Sequence, residues 1–567
     1  MNMIDNARNQ IDILINKACD KARAAGLLPV GAPLSGAVEI PREAIYGDYA
    51  ATHALAAAKE LKLAPRKIAQ TLTEFIELEG SYFRSLSIAG PGFINFTLSE
   101  KWYGEVLETV EVMGDNYGAV GIGKGRRVMV EFVSANPTGP MTIGNARGGV
   151  LGDTLSSILQ RAGHNVWREF YVNDSGNQVA LFGRSINARY MQLCLGADNY
   201  EFPEDGYHGD DIKDLAALIF ESEGDKLKNM PENERVAKFT AFALPYNIAL
   251  MKEHLERYRI SFDEWFHESS LHDSGYIADT VDLLQKGGLL YEKEGALWLR
   301  NMDLGADKDE VLRRANGYYT YYAADIAYHR NKLARGFDRV IDVWGADHHG
   351  HAIRMKASLS STKAKEALGV DGDKLDFLIM QMVRLTRDGE TIKVSKRTGK
   401  ALTLNDLLDE ISVDACRFFF NAKPDSHLEF DLGLAVRQDS ENPVYYVQYA
   451  HARICSLIMM LAQEGYSVPE YKGIDIGLLN TEAELDVMKQ IALLPEEIKL
   501  AARDYDPSRI NKYLIELAAR FHRFYSACRI KGEEPGLLQA RLKLADTVRA
   551  VIKNCLDILG VTAPEKM

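Results

Sequence analysis

The chain has 567 residues, 46% hydrophobic and 26% charged, with a formal net charge of −13, and a length beyond the roughly 250–300 residues at which a single core stops growing implies several domains. No stretch approaches the ~18 apolar residues that span a bilayer, and the start MNMIDNARNQ lacks the basic-then-apolar order of a secretory signal, so no membrane association is expected. Six widely spaced cysteines with no C-x-x-C pair read as reduced thiols, which fits a cytoplasmic protein.

Residues 1–115 read as an α+β unit. Helical periodicity runs through Ile11, Ile15 and Ala18 and again from Ala54 to Leu63, and a strand-like stretch at Ser87–Leu98 is broken by Gly90-Pro91-Gly92. The segment GDNYGAVGIGKG (114–125) reads as a flexible joint. Its G-x-G spacing precedes a strand instead of following one, so it is no dinucleotide fingerprint. From about 116 to 433, strand candidates at Val128–Ser134, Asn165–Val172, Arg339–Val343 and Phe377–Leu385 alternate with helices, the pattern of a doubly wound parallel sheet. The polar helical stretch near 185–275 reads as an insertion. Asp198–Asp225 holds ten acids against Lys213 alone, so the net charge is a weak argument against basic patches elsewhere. From about 434 onward the chain reads as helix, with apolar stripes through Val447, Ala450, Ile454, Leu457 and Leu461, through Ile510, Leu514, Leu517, Phe521, Phe524 and Cys528, and through Leu544, Val548, Val551 and Cys555. These stripes predict a helical bundle.

Chemistry concentrates in two segments. VEFVSANPTGPMTIGNARGGV (130–150) has the order strand, turn, helix, with Asn136, Pro137, Gly139, Pro140 and Gly144 breaking the chain and a helical run from Asn145 to about Gly163. That layout aims backbone N–H groups and a positive helix end at a phosphate. About 250 residues later, TIKVSKRTGK places Lys393, Lys396, Arg397 and Lys400 within eight residues, cations able to neutralise a polyphosphate in a transition state. His348, His349 and His351 lack a Cys or carboxylate pair at ligand spacing, so no metal site is expected. Arg509, Lys512, Arg520, His522, Arg523, Arg529 and Lys531 form a basic run with Tyr513 and Tyr525 interleaved, and Tyr445, Tyr446 and Tyr449 lie on an earlier helix. A charge run is usually a solvated face, but aromatic rings among cations suit splayed single-stranded bases.

These motifs resemble the class I aminoacyl-tRNA synthetases, and in detail the arginyl-tRNA synthetases. TIGN stands where the class has His-Ile-Gly-His, and KVSKR where it has Lys-Met-Ser-Lys-Ser. YGDYAAT (46–52), AGPGFINF (89–96), YVNDSGNQ (171–178), YYAADIAYH (321–329), VWGADHHGH (343–351), DACRFFF (414–420) and NPVYYVQYAHARI (442–454) also match, in order, along nearly the whole chain. The resemblance implies a multidomain α/β protein. A class I Rossmann-like parallel-sheet catalytic core occupies 116–433, an N-terminal α+β add-on domain that contacts tRNA 1–115, and an all-α anticodon-binding bundle 434–567. It implies ATP, with Mg²⁺, arginine and the arginine tRNA as ligands and partners, and a monomer is the expected state.

Site residues are carried over position by position. Pro137, Gly144, Asn145, Gly345, Asp347, His348, Val394, Ser395 and Lys396 resemble the ATP site, and Lys393, Lys396, Asn145 and Thr142 the catalytic groups. Thr142 departs from the family's His, keeping a donor but losing reach. A guanidinium is a permanently charged planar fork, so its pocket calls for carboxylates and an aromatic or hydroxyl partner. The resemblance supplies Tyr321, Asp325 and Glu268 for it, and Glu131 and Asn136 for the substrate ammonium and carboxylate. Tyr446, Tyr449, Arg453, Arg509, Tyr513 and Arg523 are the expected tRNA contacts. Two rivals stay open: a synthetase for another amino acid, against which the acidic candidates argue, and a catalytically impaired synthetase-like tRNA-binding protein, which only Thr142 supports.

Overall fold

The structure is a computed structural model that describes residues 2–387, 389–392, 402–422 and 424–567. Its N-terminal unit opens with helix Met3–Ala24, capped by the Asn2 side chain, which accepts from the amides of Ile4 and Asp5. The stripe Ile4, Ala7, Ile11, Ile15, Ala18 and Ala22 is buried against helix Pro65–Phe75 and a four-stranded antiparallel sheet. The expected Ser87–Leu98 stretch is a hairpin, Phe83–Ala89 with Phe93–Leu98. Gly92 belongs at its turn because φ is +144° and a Cβ would come within 2.8 Å of the Pro65 backbone.

The central sheet has five parallel strands: β1 (Arg127–Glu131), β2 (Asn165–Val172), β3 (Glu264–His267), β4 (Arg339–Gly345) and β5 (Leu375–Met380). Their order across the sheet is β3-β2-β1-β4-β5, the doubly wound arrangement whose switch point lies between β1 and β4. Side-chain alternation puts Val128 and Val130 into the core shared with helix Ile143–Arg161, while Met129 faces the layer containing helix Tyr321–Ala334.

Several expectations about elements change. The stretch Phe377–Leu385 is two strands, because the chain leaves the central sheet after Met380 and Val383–Arg387 joins a separate small sheet with Leu428–Asp431 and Glu390–Thr391. The insertion is a helical unit, Asn177–Leu195, Asp210–Glu223 and Glu232–Arg257, with its own core around Phe182, Ile186, Tyr190 and Phe239. It ends before β3, which the limit at 275 had included. The joint at 114–125 is packed: Val120, Gly123 and Gly125 donate to carbonyls of Arg161, Ala162 and Gly163, and the buried Tyr117 hydroxyl donates to Ile491 O at 2.9 Å. Its glycines serve close approach, since a Cβ at Gly123 would lie 2.5 Å from the Gly163 backbone. The antiparallel sheet Leu290–Lys293, Ala296–Leu299 and Glu310–Arg313 was not expected at all.

The C-terminal bundle comprises helices Pro443–Gln463, Glu482–Ala492, Leu494–Asp504, Ser508–Ala527 and Pro535–Leu559. Residues 464–481, expected as helix, form only two short 3₁₀ turns. All three apolar stripes are buried. The DACRFFF segment joins the bundle to the core. The wholly buried Arg417 donates to Leu559 O at 2.7 Å and to Tyr258 O at 3.1 Å, and pairs with Asp153 of helix Ile143–Arg161 at 2.5 Å.

Candidate active site

The chain leaves β1 at Glu131 through an uncommon backbone turn. Val133 and Ser134 take φ of +69° and +41°, a region that costs a β-branched residue energy unless its surroundings impose it. The turn is held by the Ser134 hydroxyl, which donates to Glu131 Oε1 at 2.7 Å and accepts from the Tyr171 amide at 3.2 Å. Beyond it, Asn136 is exposed and donates to Gln178 at 2.7 Å, and Pro137 O accepts from Asn247 at 2.8 Å.

Thr142 is the N-cap of helix Ile143–Arg161. Its hydroxyl accepts from the Asn145 amide, and the Asn145 side chain accepts from the Thr142 amide at 2.9 Å, a reciprocal capping box. Gly144, in the first turn, is exposed, and the space its Cβ would fill is open apart from the Thr142 hydroxyl at 3.6 Å. The first-turn amides therefore lie where an anion can reach them. Across the switch point, β4 ends at Gly345, and Asp347 and His348 follow in a 3₁₀ turn. Lys393, Val394, Ser395 and Lys396 lie outside the described residues.

Three of the pocket carboxylates are buried. Asp325, on helix Tyr321–Ala334, meets His329 at 3.1 Å and His351. Burial would push its carboxyl up, but the two histidines outweigh it and hold it well below the usual range. Glu268, just after β3, accepts from the Tyr171 hydroxyl at 2.7 Å and meets His272 at 3.3 Å, and burial keeps its carboxyl above the ordinary value. Glu131 is paired with Lys332, and burial again pushes the carboxyl up. Tyr321 is 57% exposed at the pocket mouth, with its phenol pushed up chiefly by the Asp325 charge and also by those of Glu131 and Glu268. The structure thus brings Glu131, Glu268 and Asp325 within electrostatic reach of Tyr321. Sequence reasoning missed His329, Lys332 and Asp342, which lie behind these groups. The signal was weak but present: His329 and Lys332 follow Asp325 at helical spacings of four and seven.

The bundle presents a second surface. Tyr445 and Tyr449 stack with centroids 6.1 Å apart, Tyr446 meets His522 at 4.9 Å, and the Arg453 guanidinium lies 4.1 Å from the Tyr525 ring centre. Two adjoining clefts of about 540 and 410 Å³ are lined by Tyr446, Tyr449, Arg453, His522 and Arg523, among others. Two expected contacts do not belong to this surface. Tyr513 is buried, with its hydroxyl facing Ile491 O, because it sits on the apolar stripe of its helix. Arg509 is turned onto Glu497 and Asp504, each at 3.3 Å. Among the described residues, no cluster of three or more His, Cys, Asp or Glu side chains could hold a metal, and no helix is long and apolar enough to cross a membrane.

Comparison with known proteins divides the chain into three. Residues 9–98 match the arginyl tRNA synthetase N-terminal domain, 109–431 the catalytic domain of class I (R) tRNA synthetases, and 447–567 the DALR anticodon-binding domain. Curated relatives include the arginine–tRNA ligases of Acetivibrio thermocellus, 49% identical, and Ruminiclostridium cellulolyticum, 50% identical, each aligned over 100% of both chains. Among solved structures, the Thermus thermophilus arginyl-tRNA synthetase superposes with a TM-score of 0.73 over 99% of this chain and 100% of that one, at 21% identity.

Proposed function

The chain belongs to the arginyl-tRNA synthetases of class I, and from that membership we propose how its residues divide the ligation of arginine to tRNA. The arginine carboxylate attacks the α-phosphate of ATP, giving arginyl-adenylate and pyrophosphate. The 2′-OH of the terminal adenosine of the arginine tRNA then takes the arginyl group and AMP departs. Phosphoryl transfer leaves the protein positioning and electrostatic work. In this reading the first-turn amides at Gly144 and Asn145, with Pro137 behind the turn, receive the ATP phosphates, and Gly345, Asp347 and His348 border the adenosine. Lys393 and Lys396, flanking Val394 and Ser395, neutralise the charge that builds as pyrophosphate leaves. Asp325, Glu268 and Tyr321 take the guanidinium. Glu131 takes the α-ammonium, and Asn136 steadies the carboxylate. Tyr446, Tyr449, Arg453 and Arg523 face the tRNA.

The observation that carries the assignment is a set of three buried carboxylates, Glu131, Glu268 and Asp325, whose charges all bear on the exposed Tyr321. A site built for an apolar amino acid has no use for them. Mg²⁺ enters bound to the ATP phosphates, as this ion ordinarily does. The six free thiols, five of them buried, support a cytoplasmic location, and the proposal takes the working unit to be a monomer. The capping box gives Thr142 a definite task, so the catalytically impaired alternative is not favoured. ATP–pyrophosphate exchange with arginine, run with and without the arginine tRNA, tests the reading. Arginine-dependent exchange with tRNA present is the expected result, and its absence would overturn the assignment.

A further inference from the structure

Behind the pocket lies a charged residue that need not touch any substrate. Lys332 sits two turns after Asp325 on helix Tyr321–Ala334, and its side chain is wholly buried. Its ammonium donates to Glu131 at the end of β1 and to both oxygens of Asp342 on β4, at 2.8 Å each. Glu131 and Asp342 are register partners across the switch point, so without Lys332 two buried carboxylates would face each other. Asp342 also meets His329 Nε2 at 2.8 Å, and His329 Nδ1 faces the Asp325 backbone carbonyl at 2.8 Å and its carboxylate at 3.1 Å. Both ring nitrogens meet oxygen acceptors, so both donate and the ring is an imidazolium. Burial and Lys332 oppose that charge, but the two aspartates prevail and raise the ring to about 9. Glu131, Lys332, Asp342, His329 and Asp325 therefore form a buried row of alternating charge with a carboxylate at each end. Arginine is the matching ligand, with an ammonium at one end and a guanidinium at the other.

We propose that Lys332 is a positioning residue of the arginine site: by sharing its ammonium between Glu131 and Asp342, it keeps Glu131 ionised and aimed at the α-ammonium of the substrate. The inference rests on the reading of Glu131 and Asp325 as the two ends of the arginine pocket. Without Lys332, two facing carboxylates in a buried site cannot both stay charged, so one takes up a proton and the contact to the ammonium weakens. Lys332→Met should raise the KM for arginine about tenfold, the middle of the range for residues sharing one hydrogen-bonded network, and leave the KM for ATP nearly unchanged. Inhibition by 5-guanidinopentanoate, which lacks the α-amino group, should be unaffected, and Lys332→Arg should restore most of the arginine KM. Should Lys332→Met fail to fold, Lys332→Gln, which keeps a hydrogen-bond donor between Glu131 and Asp342 but no charge, carries the same test. An unchanged arginine KM overturns the inference, as does equal weakening of arginine and the des-amino analogue. Asp325→Asn serves as the control. If it too leaves the arginine KM unchanged, the pocket assignment itself has failed, whereas an effective Asp325→Asn beside silent Lys332 variants refutes only the role of Lys332.

Discussion

Thr142 shows what one residue type does in two contexts. Read as a departure from the family's His, it looks like a loss of reach toward the triphosphate. In the fold, it closes a capping box with Asn145 at the start of helix Ile143–Arg161. Replacing such a cap costs about 0.5–2 kcal/mol. Thr142→His is therefore expected to lower the thermal midpoint and slow adenylate formation, and Thr142→Ser to preserve both. Pre-steady-state pyrophosphate release with saturating tRNA, beside a melting curve, decides the matter; a faster His variant would mean the threonine is a defect. The resemblance named the residues the pocket presents to its opening, namely Glu131, Glu268, Tyr321 and Asp325. It did not supply Lys332, His329 or Asp342, because a buried counter-ion is defined by which strand lies opposite, and pairing across β1 and β4 joins residues 211 apart, Glu131 and Asp342.

At the scale of elements, periodicity revealed the long helices and most of the central strands, where a buried stripe repeats often enough to be counted. It failed where context decides. Phe377–Leu385 is apolar but for Gln381 and Arg384, and the chain changes sheets at Gln381, where the buried Arg147 draws the backbone. Its guanidinium donates to Gln381 O at 2.6 Å and to Ser426 O at 3.3 Å, and burial lowers it to about 10 against the nearby Asp425 charge. Arg147 thereby ties helix Ile143–Arg161 to the strand that leads in sequence to Lys393. Removing a donor from a buried carbonyl costs about 1–3 kcal/mol, and from these part-buried ones less. Arg147→Met should lower the urea midpoint and reduce kcat while barely moving the arginine KM. A variant with an unchanged midpoint and kcat would mean the two elements hold their places without it. The four-residue strands at 290–313 escaped notice for a simpler reason: so short a run carries too little alternation to separate strand from loop.

At the scale of the molecule, three domains are joined by buried polar contacts rather than by free linkers, with Tyr117 and Arg417 at the seams. The net charge of −13 does not describe the surface proposed to meet tRNA, since the aromatic clefts of the bundle carry Arg453 and Arg523 at their edges. Binding of tRNA should weaken steeply between about 50 and 200 mM salt. Arg453→Ala and Arg523→Ala should each reduce the slope of log affinity against log salt by about one. Arg523 also meets Asp486 and Glu516, at 3.4 and 3.7 Å, but its side chain is 64% exposed. Arg509→Ala, at a side chain paired with Glu497 and Asp504 and 30% exposed, should not reduce the slope. Filter binding across a salt series measures all three, and a flat response in the unaltered protein would mean the basic face is merely solvated.

The central claim is that this pocket reads the charge of a guanidinium through Asp325. Citrulline has nearly the shape of arginine with a neutral ureido group at the distal end, so the ratio of kcat/KM for arginine over citrulline isolates that charge. Losing the carboxylate opposite a buried cation costs about 3–5 kcal/mol, roughly two to three orders of magnitude in such a ratio. The measurement is tRNA aminoacylation with both amino acids by the unaltered protein and by Asp325→Asn. A fall in the ratio of that size, carried by the arginine KM with the ATP KM unchanged, is the predicted result, and a ratio that survives Asp325→Asn intact would contradict the account.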